Sequence, residues 1–296
     1  MVEVNVMKRR TKGENVFAIC NYIFMVFLAF TAVYPIWYVL IASFSSGAAV
    51  NSGRVFFWIK DFTLEAYKQI LATKNLLNSY LNTVFYSVAG TALSMALTTT
   101  AAFGLSRKNF PFKKQITLLF MFTMWFSAGM MPTYLNIRNL GLLDTRVGIL
   151  LMGAISTWNL ILMRSFFDSI PAEMDESAKL DGANDTQIFK DIYLPLSTAA
   201  LMTIALYYFV GRWNAYFWSM LILSDEKKIP LQVVLKKLIV EMNTNFSESA
   251  NIDYTVTSRE TFVFATIMIS VIPMMVLYPF IQKYFVKGIM IGAVKG

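Results

Sequence analysis

The sequence predicts an all-α membrane protein of six transmembrane helices with both termini in the cytoplasm, and three observations carry that prediction. The 296 residues have a mean hydropathy of +0.53, with 56% hydrophobic and only 15% charged residues, far more apolar surface than a soluble domain of this length needs. Several runs of about 20 residues carry no charge, which is the length that crosses a bilayer. On the topology those runs imply, 14 lysines and arginines fall inside, 11 fall outside and Arg212 lies within a span. The inside charges crowd the helix ends, where the positive-inside rule has force.

Residues 1–15 form a basic cytoplasmic start with Lys8, Arg9, Arg10 and Lys12, and the first span runs from Val16 to about Ala42. A signal peptide has an apolar core of only about 7–15 residues, so this is an uncleaved helix. Cys20 lies in it as a small buried residue, and with one cysteine no disulfide can form within the chain. The outside loop, Ser43 to Ser79, carries FFWIK (Phe56 to Lys60) and TLEAYKQIL (Thr63 to Leu71), short pieces with aromatic anchors expected along the membrane surface.

The second span, Tyr80 to Leu105, is charge-free, and its small residues at Ser87 to Gly90 and Thr98 to Ala102 let neighbouring helices approach closely. Arg107, Lys108, Lys113 and Lys114 in the connector SRKNFPFKK mark the inside. Ile116 to Leu135 crosses outward, broken near Gly129 and Pro132; after a turn with Gly141 and Asp144, Val147 to Met163 crosses back. The fifth span runs from beyond Pro195 to about Leu223, Ser224 to Glu260 forms the longest polar outside stretch, and Thr261 to Ile281 is the sixth span. A basic cytoplasmic tail, residues 284–296 with Lys287 and Lys295, follows directly after Lys283. Residues 16–283 thus read as one membrane domain with no repeat and no soluble domain attached.

Several functions are excluded. The chain has no histidine, hence no histidine triad, histidine-ligated metal or imidazole relay. It has neither a G-x-x-x-x-G-K-[ST] loop nor a G-x-G-x-x-G turn, so no nucleotide site, cofactor or metal of its own is expected. The net charge of +8 comes without an aromatic-interleaved basic patch, so nucleic acid is not the partner. The spans hold almost no ionisable groups, which weighs against a proton-driven carrier, although sodium sites built from carbonyls and hydroxyls would escape that test.

Seven of the eighteen acidic residues lie between Asp168 and Asp191, on the inner side by this topology. Pro171 suits a first helical turn, and Glu173, Asp175 and Glu176 sit where the helix dipole favours carboxylates. Gly182 stops that helix, Asn184 with Gln187 caps the next, and Pro195 ends it. A solvated connector would explain the acids. Ser177, Ala178, Gly182 and Ala183, however, form a small-residue surface for close approach, and Met174, Leu180, Ile188 and Phe189 add apolar anchors, so a docking element is the sharper reading.

Glu176, Ser177, Ala178, Asp181, Gly182, Ala183, Phe189, Ile192, Leu194 and Pro195 resemble, at the family's spacing, the EAA motif of membrane subunits of binding-protein-dependent ABC importers. Ser177 replaces the first alanine, small for small. SFFDSIPAEMDESAKLDGA (Ser165 to Ala183), GRWNAYFWSMLIL (Gly211 to Leu223) and KYFVKGIMIGAVKG (Lys283 to Gly296) are similar to the maltose-type, carbohydrate-importing branch, and by general similarity to subunits of Gram-positive oligosaccharide or polysaccharide importers. The resemblance implies a type I ABC importer transmembrane domain in the cell membrane, with residues 168–197 as the coupling segment. It implies a second homologous permease subunit, two ATPase subunits that bind ATP and Mg, and an external substrate-binding protein. Glu176 would face basic groups on an ATPase, Ala178 and Gly182 would allow close approach, and Ile192, Leu194 and Pro195 would anchor the segment. The Ser224 to Glu260 loop would reach the binding protein, and the tail would touch the ATPases.

Candidates for the translocation path are Arg212, Trp213, Asn214, Tyr216 and Trp218, then Trp125, Trp158 and Asn159, because sugar rings stack on aromatics and their hydroxyls seek Asn or Arg. Interfacial anchoring is the competing role for each aromatic. The alternatives are a self-contained secondary carrier or channel, which would take up solute alone, and a membrane-embedded enzyme, for which no catalytic constellation is visible.

Overall fold

The computed structural model describes residues 12–241 and 258–293, with side chains to residue 279. Lys8, Arg9, Arg10, Lys295 and residues 242–257 of the expected outside loop lie outside the described residues. The described residues are helical apart from connections and one bridge, Ser45 to Phe62.

One compact unit comprises the described parts of Met1–Gln69 and Ile252–Met268. It contains α1 (Lys12–Ser43), α2 (Gly47–Asn51), the start of α3 (Glu65–Ala72) and the start of α15 (Arg259–Ala293). Ile41 and Ala42 at the end of α1 pack against Ala49, Val50 and Val55. Tyr34 and Trp37 donate to the carbonyls of Phe56 and Phe57 at 3.3 and 2.9 Å, tying the FFWIK stretch to α1. Most of α1 presents bare apolar side chains, as a lipid-facing helix must. Cys20 is among them and is exposed rather than buried, because nothing else among the described residues packs on that part of α1.

The second unit, residues 70–251 and 269–296, is built around α4 (Lys74–Ser106). Against α4 pack α7 (Arg146–Leu151), α8 (Thr157–Asp168), α12 (Thr198–Trp213) and α14 (Leu231–Glu241). Buried serines, threonines and a glycine (Ser79, Thr83, Ser87, Gly90, Ser94, Thr98) run along α4 and permit those close contacts. One apolar core surrounds Leu105, Met163, Phe167, Ile188 and Ile204; a second surrounds Tyr86, Ile149, Ile222 and Val233.

Three helices, Lys12–Ser43, Lys74–Ser106 and Arg259–Pro279, are long and apolar enough to cross a membrane, and two bent pairs would raise the number to five. The third expected span is one of those pairs. Its parts, α5 (Lys113–Trp125) and α6 (Met130–Asn139), meet at 119°. The break falls at residues 126–129, and Pro132 sits in the first turn of α6, where a missing N–H costs nothing. The fourth, Val147 to Met163, is split into α7 and α8 across residues 152–156. The fifth is interrupted at Asn214–Tyr216 before α13 (Phe217–Ile222). The sixth does not stop at the expected tail, since α15 continues to Ala293 through Pro273 and Pro279.

Pro195 does not end its helix either. After α9 (Ala172–Leu180) and α10 (Asp185–Gln187) the chain forms a π-helical turn, Ile188–Tyr193, and α11 (Leu194–Leu196) contains the proline. The wider turn leaves room for a ring that would otherwise strike the carbonyl four residues back. The bend comes at Ser197, where this helix and α12 meet at 83°.

Candidate coupling segment and translocation cavity

The acidic segment forms from its own capping signals. Glu173 and Asp175 lie in the first turn of α9, and Gly182 reverses the chain at φ +85°, a left-handed conformation that a side chain would strain. The Asn184 side chain accepts from Gln187 N at 2.9 Å while Gln187 Oε1 accepts from Asn184 N at 2.8 Å, a complete capping box.

What fixes the segment to the bundle is Arg107, the residue that closes α4. Its guanidinium donates to Asp175 on α9 and, at 2.6 Å, to Asp185 on α10, and lies 4.9 Å from the Phe103 ring centroid and 5.9 Å from that of Tyr193. Lys179 adds a bridge to Asp175 at 3.1 Å. Burial pushes the Asp175 carboxyl up, but the Arg107 and Lys179 hydrogen bonds outweigh it and hold its pKa below the ordinary value. Burial likewise opposes the Arg107 charge, and the hydrogen bonds it donates to Asp175 and Asp185 overcome it, so its pKa is raised. Sequence alone saw in Arg107 only an inside charge; its partners are 68 and 78 residues away.

Beneath the clamp, Phe103 packs with Phe189 (4.9 Å between centroids) and Tyr193 (5.0 Å), and Ile188 is fully buried. Ala178, Ala183, Phe189 and Ile192 pack on this same core. The small-residue surface expected to await a partner is therefore partly turned inward: Ala178 and Ala183 let α9 lie against its own bundle. Leu194 is half-buried and Pro195 exposed. Outward face Glu176, Ser177, Asp181, Gly182 and the two bare apolar side chains Met174 and Leu180, the latter 89% exposed.

A cavity of about 390 Å³ lies along α4, α7, α8 and α12, and Arg212, Trp218 and Asn159 from the sequence candidates line it. Tyr86, Ser156, Tyr207 and Tyr208 line it too and were missed, since tyrosines inside a span read as packing or anchors and a lone serine there carries no signal. Arg212 reaches the carbonyls of Ile149 (3.4 Å) and Leu150 (3.1 Å) and Ser94 Oγ (3.0 Å). Those carbonyls belong to the last turn of α7, where helical partners run out. The break in the fourth span thus creates the acceptors that hold the arginine. Gly90 makes room for it: a Cβ there would come within 2.5 Å of Arg212 Cδ.

The other candidates lie elsewhere. Trp213 is 2% exposed, donates to Ser270 O at 3.0 Å and stacks on Phe209, so it holds the helix packing and does not line the cavity. Asn214 spends its amide on Val210 O, 3.0 Å away, at the end of α12. Tyr216 is partly exposed with Lys236 Nζ 5.9 Å from its ring. Trp125 and Trp158 are exposed, at 82% and 63%.

The expected outside loop is anchored at its start. Asn82 donates to Lys227 O (2.7 Å), Tyr86 to Lys228 O (2.8 Å), and Thr83 Oγ1 accepts from Leu231 N (2.8 Å). Asp144, at φ +52°, accepts from Ser224 N, Asp225 N and Lys228 Nζ. Leu231, Val233, Leu235 and Leu238 on α14 are buried, so residues 224–241 are a packed helix and its lead-in, not a protruding polar loop.

A family model described as "Binding-protein-dependent transport system inner membrane component" matches residues 4–291. The chain is 37% identical over 296 residues to Protein LplC of Bacillus subtilis, covering 100% of both chains. It is 40% identical over 286 residues to the polygalacturonan/rhamnogalacturonan transport system permease protein YtcP of Bacillus subtilis, covering 96% of this chain and 99% of that one. A solved structure of a bacterial ABC transporter involved in the import of the acidic polysaccharide alginate superposes with a TM-score of 0.89 at 44% identity, over 94% of this chain and 99% of that one. These likenesses leave the self-contained carrier and the membrane-embedded enzyme without support. The chain belongs to the family of binding-protein-dependent transport system inner membrane components.

Proposed function

We propose that the chain is a permease subunit of an ATP-driven importer in the cell membrane, and that its cargo is a carbohydrate, an oligosaccharide or a piece of a polysaccharide. It crosses the membrane six times with both ends inside, the third to fifth crossings being broken; residues 1–15 and 284–296 are cytoplasmic and 16–283 form the membrane domain. A second homologous permease subunit completes the path, an external binding protein delivers the sugar, and two ATPase subunits bind ATP and Mg.

The observation that carries this reading is the asymmetry of the acidic segment. Its inner side is clamped by Arg107 and packed on the core, whereas its outer side presents Glu176, with no partner among the described residues, beside Leu180 and Met174. A rigidly seated helix with a bare apolar tip and a free carboxylate suits docking into an ATPase cleft. Closure of the ATPases would push α9 and α10, and Arg107 would pass the push to α4, which also lines the cavity. Binding energy and ATP thereby shift the permease pair between inward- and outward-open states.

Reconstituting the chain in liposomes with its permease partner, the ATPases and the binding protein tests this. ATP-dependent oligosaccharide uptake is expected from the full assembly and none from the chain alone. Gradient-driven uptake by the chain alone would overturn it. In a Cys20→Ser background, Leu180→Cys is expected to react with an impermeant thiol reagent only from the ATPase side.

A further inference from the structure

Arg212 is the charged side chain in the wall of the cavity, and it has no carboxylate partner among the described residues. Its hydrogen bonds go to two carbonyls and a hydroxyl. Carbonyl dipoles orient a guanidinium, but they leave its full charge in place, and a half-buried cation without a counter-ion carries an unrecovered desolvation cost. Moreover, Gly90 lies against its stem, and Ser94 and the last turn of α7 hold its fork.

The rest of the wall is neutral and has sugar-like complementarity. The Tyr208 hydroxyl is consumed by Thr98 Oγ1 (2.6 Å) and Ser156 N (2.9 Å), and that of Tyr86 by Lys228 O, which leaves rings as their contribution. Asn159 is 6% exposed, lines the cavity, and its amide has no hydrogen-bond partner among the described residues. A volume of about 390 Å³ is at the small end of ligand pockets. It suits one or two sugar rings of a longer chain.

We infer that this cavity is a subsite for a carboxylate-bearing sugar, a uronate residue of the translocating chain, with Arg212 as the group that recognises the acid and Asn159 as a hydroxyl partner. The inference rests on the carbohydrate reading above and narrows it. A neutral sugar would be served as well by a neutral amide, whereas an anion recovers the cost of holding a fixed guanidinium in the wall.

The test is equilibrium binding of tri-galacturonic acid and of its fully methyl-esterified form, neutral and larger by one methyl at each carboxyl, to the detergent-solubilised permease pair, with no binding protein present. The wild type is expected to bind the acid about tenfold more tightly than the ester, as one charge-assisted contact allows. That preference is expected to shrink in 0.5 M salt. Arg212→Gln should equalise the two ligands by weakening only the acid, and Arg212→Lys should keep part of the preference. Gly90→Ala keeps the charge but pushes the guanidinium from its seat, and should also lose the preference; it guards against misreading an Arg212 variant that fails to fold. Equal binding of acid and ester to the wild type, or an undiminished preference in Arg212→Gln, overturns the inference while leaving carbohydrate transport standing. Binding of neither ligand also overturns the inference, while the carbohydrate reading stands or falls on the uptake assay above.

Discussion

Two arginines hold the second unit together, and they do so in opposite ways. Arg107 is nearly buried, meets two carboxylates and lies over two aromatic rings. Arg212 is half-buried, meets no carboxylate, and is seated by helix-end carbonyls beside a cavity. Where the charge is neutralised within the chain, the side chain ties α4 to the acidic segment of α9 and α10. Where it is held but not neutralised, the charge remains available to something that enters. Together they teach that an arginine in an apolar protein is to be judged by its acceptors, because carboxylates consume the charge and carbonyls only aim it.

The sharpest way to break the comparison is to reverse the joint. Arg107→Glu places a third acid against Asp175 and Asp185. Removing one member of a near-buried pair costs about 3–5 kcal/mol, enough to unseat α9, so uptake per ATP hydrolysed by the reconstituted assembly should fall more than tenfold. The double variant Arg107→Asp with Asp175→Arg restores one of the two pairs and should recover part of the coupling. If Arg107→Glu transports normally, the joint carries no force. The same joint should ignore physiological pH. Asp175 has a folded pKa below the ordinary 3.8, so its contribution is fully present above that value and is lost only as pH falls through the lower folded value. Coupling measured from pH 8 to 5 should therefore show no step from this pair.

A smaller effect is expected at the turn between the clamped helices. Gly182 has φ +85° with open space where a Cβ would stand, so a substitution meets strain rather than a clash. Gly182→Val should cost about 1–2 kcal/mol, read as a lowered thermal midpoint, and Gly182→Asn less, since asparagine tolerates the left-handed region. Should valine prove neutral, the turn does not constrain the segment.

The local signals of this segment were legible in sequence: Gly182 ends α9, and Asn184 with Gln187 builds the predicted capping box. The same holds for the long apolar runs that became α1 and α4. Illegible were features decided by tertiary partners. Pro195 reads as a stop until the π turn makes room for it. Val147 to Met163 reads as one span because hydropathy does not register the break between α7 and α8, and that break supplies the two carbonyls that help to seat Arg212. Trp213 shares its aromatic-rich stretch with Trp218, yet one packs under Phe209 and Tyr80 while the other lines the cavity. Composition cannot separate neighbours five residues apart that face different ways.

The smallest expected effect lies in a third set of ion pairs, between Asp144, Asp225 and Lys228, which sharpens the contrast because it looks richer than the Arg107 clamp. Backbone N–H groups of Asp225, then the Lys228 side chain, hold the Asp144 carboxyl below its ordinary pKa. The side chains of Asp144, Asp225 and Lys228 are 29–38% exposed, however, more than Arg107 and Asp175, and water already reaches them, so pairing adds little. The backbone bonds matter more than the charge. Asp144→Asn keeps an acceptor for Ser224 and Asp225 and a side chain suited to φ +52°. It should leave the thermal midpoint nearly unchanged, whereas Asp144→Ala, which removes the acceptor and strains the backbone, should lower it detectably. If asparagine were as damaging as alanine, the Lys228 bridge would be the stabilising element there, and exposure would no longer separate this site from the clamp at Arg107.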